Sequence, residues 1–307
     1  MNRITALEMR LATTQLLVIV MSVMVYTRGQ VMSELLPRGT DSTSPVATRL
    51  LTILNKYDAR INETTPQLIK SNGYPVESHQ VTTEDGYILE LHRIPCSGKE
   101  GAAAEGANRY KLRPVAFLHH CLLCSSSDFI MNTPDKALGY VLADAGYDVW
   151  MTNARGNTYS RKHLTLSPQH KHFWQFSWTE MAKYDVPAAI DYILNVTYNK
   201  DLYYVGFSMG TTIFWAMLNE HPHYASKIRF MGALGPVAYV GNMRGPLRYS
   251  ATFVNQIEDV LHLVGELPNL VYNHRVHEPR FSHIDFVWAL HADKLVYRYL
   301  IEVMSHY

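Results

Sequence analysis

One stretch constrains this chain more than any other. Leu202–Val205 is a short apolar run, Gly206-Phe207-Ser208-Met209-Gly210 follows it, and Thr211–Asn219 reads as a helix. A strand that turns into a helix within five residues belongs to a parallel sheet, because parallel neighbours need a crossover element between them. Such a turn forces its central residue, Ser208, into strained backbone angles. Side chains two residues to either side would strike neighbouring elements, which is why glycine suits both places. The strain lifts the Ser208 hydroxyl clear of the sheet and presents the Met209 N–H to a developing oxyanion. A plain Gly-Ser turn can carry the same five letters. The strand before and the helix after favour the nucleophile.

The rest of the chain is consistent with that frame. Ser78–Thr83 and Tyr87–Arg93 are β-rich runs joined by Glu84-Asp85-Gly86, a hairpin signal. Val115–His119 and Tyr147–Met151 read as strands, with a helix at Lys136–Ala145 between them that Gly146 ends. Glu180–Leu194 reads as a helix, with Tyr184, Ala188 and Tyr192 at helical spacing. Arg229–Leu234 and Leu270–Val276 read as strands and Ala292–Met304 as a helix. Strands alternating with helices predict an α/β fold, a mostly parallel sheet with helices on both faces. With 47% apolar and 18% charged residues in 307, a sizeable core is available. A net charge of +1 gives no electrostatic case for a nucleic-acid partner. The aromatic group Phe173, Trp174, Phe176 and Trp178 is read as core and loop packing rather than a lipid-facing patch.

The N-terminus reads as a targeting segment. Arg3 and Arg10 precede the apolar run Leu16–Tyr26, and Thr27 and Gly29 are small residues suited to cleavage before Gln30. Residues 1–29 are therefore assigned as a signal peptide, with an uncleaved anchor as the alternative, and residues 30–65 as a leader. Sequons at Asn62 and Asn195 agree with a secretory route. Cys96, Cys121 and Cys124 permit one disulfide, with buried thiols the ordinary expectation. Their layout lacks the second ligand pair of a zinc site, and the paired His119 and His120 lack a third ligand. No metal or other cofactor is expected.

Leu118-His119-His120-Cys121-Leu122-Leu123 follows the early strand, where this kind of fold supplies its second oxyanion donor, here assigned to Leu122. Thr83-Glu84-Asp85-Gly86-Tyr87-Ile88-Leu89, Asp144–Trp150, Asn153–Ser160 and Phe281–Trp288 complete a pattern. It resembles the acid lipases of the gastric and lysosomal type, with their insect relatives, within the α/β-hydrolases. The resemblance covers about the whole chain from Pro66 onward. It implies hydrolysis of lipid esters such as triacylglycerols or sterol esters, a secreted or lysosomal location and no cofactor. It maps the catalytic histidine to His283, which also sits late in the chain, where the base belongs.

The chain departs from that pattern between Ser208 and His283. Only 75 positions separate them, and the family's acid-bearing segment and most of its lid are absent. The catalytic domain is read as residues 66–238, a lid remnant as 239–266, and a C-terminal strand and helix as 267–307. The match jumps near Gly265–Leu267, as an internal deletion would make it. None of Asp285, Glu258, Asp259 or Glu266 is assigned as the acid, which stays unknown, so an impaired or inactive relative is the alternative. Cys121 stands where the family has Gly. Positive φ there would cost about 1–2 kcal/mol. Phe207 and Met209 replace the usual His and Gln beside the nucleophile.

Overall fold

The computed structural model describes residues 63–101, 112–238, 256–279 and 281–307. The segment read as a signal peptide, the leader up to residue 62 with the Asn62 sequon, residues 102–111 and the first part of the lid remnant lie outside the described residues. The described residues belong to one unit, Glu63–Tyr307.

That unit is built on a seven-stranded sheet. After a helix α1 (Thr65–Ser71), the strands β1 (Glu77–Thr82) and β2 (Tyr87–Ile94) form the antiparallel hairpin that Gly86 allows at φ 94°. There follow β3 (Val115–His119), α2 (Leu138–Asp144), β4 (Asp148–Met151) and a two-residue strand β5 (Lys162–His163) that pairs with β2. Then come α3 (Val186–Thr197), β6 (Leu202–Phe207), α4 (Met209–Glu220) and β7 (Ile228–Leu234). The order is β1-β2-β4-β3-β6-β7, and β4, β3, β6 and β7 run parallel.

The central strands are buried on both faces, as parallel strands under crossover helices must be. Alternation along them divides the core. Ala116, Leu118, Val149, Met151, Val205 and Phe207 pack with α2 and the C-terminal residues Val296, Tyr297 and Leu300. Val115, Phe117, Trp150, Leu202 and Tyr204 face the other way, toward Val186, Ile190, Ile213 and Phe214. Each face buries one apolar stripe, so the sheet is clamped between two helical layers.

The C-terminal part comprises α5 (Gln256–Glu266), the four-residue α6 (Asp285–Trp288), and a helix end, α7 (Arg298–Met304), that continues a π-turn over Asp293–Tyr297. The helix read at Ala292–Met304 is present. The strand read at Leu270–Val276 is not: these residues are irregular, and Leu270, Val271 and Tyr272 are exposed. A strand exists only against a partner edge. Among the described residues the sheet stops at β7, and none of its strands pairs with residues 270–276. The aromatic group divides: Phe173 is buried against Tyr87 and Leu89, while Trp174 and Trp178 are exposed.

Candidate active site

Ser208 sits between β6 and α4 with φ 54° and ψ −113°. A serine at positive φ is strained by about 1–3 kcal/mol, and its neighbours hold it there. The Ser208 N–H donates to the Leu234 carbonyl at 3.0 Å, and the Ser208 carbonyl accepts from Thr211 N–H at 2.9 Å and Thr211 Oγ1 at 2.6 Å. A Cβ on Gly206 would lie 2.8 Å from the Gly210 carbonyl carbon, and one on Gly210 only 2.4 Å from the His119 carbonyl oxygen. Glycine is therefore a packing requirement at both places. The second contact also shows how tightly the start of α4 presses on the end of β3. It brings Met209 and the loop after His119 to the same end of the sheet.

That loop is a four-residue turn closed by Cys124 N–H donating to the Cys121 carbonyl at 3.3 Å. Leu123 occupies the left-handed place, at φ 63°, and points its side chain into solvent. Cys121 has no positive φ, so the strain expected at Cys121 falls on Leu123 instead. Turns of this shape put the left-handed residue third, and the third residue here is Leu123, not Cys121. Cys121 and Cys124 form a disulfide across Leu122 and Leu123, where buried thiols were expected.

The turn is supported from beneath. His120 is fully buried; its Nδ1 hydrogen-bonds the Cys121 carbonyl at 2.7 Å, and its Nε2 accepts from Ala154 N–H at 3.0 Å. With Nε2 accepting, Nδ1 carries the proton and donates. Burial pushes the His120 ring down to about 4 and the His119 ring down to about 3, so both are neutral spacers at neutral pH. Asn153 Oδ1 accepts from Ser126 N–H at 3.0 Å and from Asn157 Nδ2 at 3.0 Å. Asn153 Nδ2 donates to the Glu90 carbonyl at 3.0 Å. The stretch Asn153–Ser160 thus has a role that sequence reading left blank: it braces the turn after β3. Its anchor is Arg155, whose guanidinium is bidentate to Asp85 at 2.6 and 2.9 Å and bonds Asp185 at 2.6 and 2.8 Å, over the face of Tyr87.

His283 reaches the neighbourhood of Ser208 from the C-terminal segment. Its ring lies 5.2 Å from that of Phe207, the residue before Ser208. A Cβ on Gly235 would fall 2.9 Å from its Nδ1 and Cε1, and Gly235 follows the Leu234 that holds Ser208. Phe207, which stands where the family has His, packs beside the His283 ring, and burial lowers the pKa of that ring. Asp285 does not serve as an acid here: its Oδ2 accepts from Ser282 N–H at 2.5 Å and Ser282 Oγ at 2.7 Å, capping its own turn. Asp128, which sequence reading passed over, is buried beside the Cys121–Cys124 turn, and burial pushes its carboxyl up to about 7. A groove of about 380 Å³ between Trp178, Ala182 and Trp215 lies elsewhere, and none of Ser208, Met209, Leu122 or His283 lines it.

Comparison with known proteins agrees with this geometry. Residues 65–133 match the family model described as a partial alpha/beta-hydrolase lipase region, and residues 114–258 match that of the alpha/beta hydrolase fold. Lipase 3 of Drosophila melanogaster is 49% identical over 200 residues, covering 65% of this chain and 49% of that protein. The human lysosomal acid lipase/cholesteryl ester hydrolase is 47% identical over 194 residues, covering 63% and 47%. Lipase member K of Homo sapiens is 43% identical over 219 residues, covering 69% and 53%. The chain spans about half the length of the curated relatives it matches.

Proposed function

We propose that this chain, which belongs to the α/β-hydrolase lipases, is a carboxylic ester hydrolase that attacks lipid esters through Ser208. The observation that carries the reading is the left-handed Ser208 at the start of α4, held by glycines that admit no Cβ. Ser208 Oγ adds to the ester carbonyl while His283 takes its proton. The oxyanion forms against the backbone N–H groups of Leu122 and Met209. His283 then gives the proton to the departing alcohol, and water, activated by the same imidazole, releases the acyl group. Burial keeps His283 neutral, the form a base requires, to lower pH than a solvated imidazole.

Triacylglycerols or sterol esters are the substrate class, reached along the secretory or lysosomal route that the first 29 residues indicate. With most of the lid absent, short soluble esters are accepted with little activation by an interface. A fluorophosphonate probe on the purified chain tests the reading. Labelling that disappears in Ser208→Ala is expected; a folded chain that takes up no probe would overturn the assignment and leave an inactive relative.

A further inference from the structure

We propose that the turn after β3 is also a cation site: once the Cys121–Cys124 bridge is reduced, both sulfurs and the Asp128 carboxylate bind a thiophilic divalent cation, Zn²⁺ being the model ion. The spacing of the cysteines alone argued against zinc, because no second ligand pair follows in sequence. Tertiary structure supplies the missing ligand. Asp128 lies on the 3₁₀ turn Ser126–Phe129, which folds back beneath the Cys121–Cys124 turn. Its Oδ2 stands 3.5 Å from Cys121 Sγ. One atom from each of Cys121, Cys124 and Asp128 can be chosen so that all lie within 4.8 Å of one another.

Those spans suit a tetrahedral ion. Zn–S bonds of about 2.3 Å and Zn–O bonds of about 2.0 Å place sulfur and oxygen about 3.5 Å apart, and two sulfurs about 3.8 Å apart. The sulfur–oxygen edge already has this length. Opening the bridge lets the sulfurs move to theirs, with the fourth position left to water. Charge points the same way. Asp128 is 3% exposed, and the groups that donate to it, the Cys121 backbone N–H and the Trp288 side chain, are not cations. A buried carboxylate is normally paired with a cation or a metal. Nothing in the ester-hydrolysis scheme employs it.

The step balances. A dithiol reductant delivers two electrons and two protons to the bridge and leaves as its own disulfide. Each thiol then gives its proton to solvent as the cation binds, so two thiolates and one carboxylate surround a doubly charged ion. In an oxidising compartment the bridge is the resting form, and the cation form belongs to reducing conditions.

The site does not use Ser208, so its test is independent of the ester-hydrolase reading. The full chain is reduced with a phosphine under argon, desalted, titrated with Co²⁺ and then competed with Zn²⁺. One Co²⁺ per chain is expected, with sulfur-to-cobalt charge-transfer absorption that Zn²⁺ bleaches and that the oxidised chain lacks. Cys124→Ser should abolish the band and Cys96→Ser should leave it. Asp128→Asn should weaken binding at least about tenfold with an unchanged circular dichroism spectrum. Should Asp128→Asn fail to fold, Asp128→Glu, which keeps the carboxylate, should still bind. A folded, reduced chain without the band, a band that survives Cys124→Ser, or full affinity in Asp128→Asn would each overturn the proposal.

Discussion

Ser208 and His283 arrive at one end of the sheet by opposite means. Ser208 is fixed by backbone: β6 delivers it, α4 leaves from it, and Leu234 and Thr211 hold its N–H and carbonyl. His283 comes in on an irregular stretch followed by a single turn of helix, and packs beside the Phe207 ring and the bare Cα of Gly235. One half of the pair is specified by main-chain hydrogen bonds inside a parallel sheet, the other by side-chain packing outside it. The lesson concerns loss. A segment removed between the two would leave the first half intact, because the Ser208 backbone bonds run to Leu234 and Thr211, both close to it in the sheet. A cut of that kind would fall on the second half instead, because the irregular stretch that leads to His283 lies beyond it.

The largest effect should come from His283→Ala. General-base catalysis is worth roughly 10²–10⁴-fold, so probe labelling of Ser208 should slow by that factor while the melting temperature stays nearly constant. Equal labelling rates would mean that His283 is only packing, and the comparison would break. Next comes Arg155→Met. It leaves Asp185 buried and unpaired beneath the turn after β3, and breaking a buried ion pair costs about 3–5 kcal/mol. Urea unfolding should show that loss, and an unchanged midpoint would remove Arg155 as the anchor of the braced side.

Gly210→Ala should cost about 1–3 kcal/mol by overpacking, because its Cβ meets the His119 carbonyl oxygen in backbone that cannot swing away. Thermal unfolding reads this, and a neutral result would mean that β3 and α4 are not pressed together. The smallest effect is in pH. His283 is held neutral by burial, so the labelling rate should rise with pH along a limb whose midpoint lies below 6.5. A midpoint above 6.5 would mean that a negative charge acting on the ring outweighs its burial. The buried neutral His119 and His120 add a stability term of the same sign. Unfolded, they take up protons near pH 6.5; folded, they resist until about 3 and 4. Their contribution is therefore complete above pH 6.5 and is lost as pH falls through those folded values.

Sequence alone determined the sheet and the turn that carries Ser208. The strand-turn-helix around Ser208, the apolar run at Val115–His119 and the hairpin glycine are local patterns, and local backbone preference with burial is enough to realise them. Leu270–Val276 had the composition of a strand, but composition cannot supply a partner edge, and tertiary structure left it irregular. Tertiary structure also decided what no spacing displays: that Asn153 and Ala154 brace the loop around Leu122, that Leu123 rather than Cys121 takes the left-handed place, and that Asp128 lies against Cys121. Those relations join residues from separate loops. They exist only once β3 and β4 are neighbours in the sheet, which puts the loops that leave them side by side.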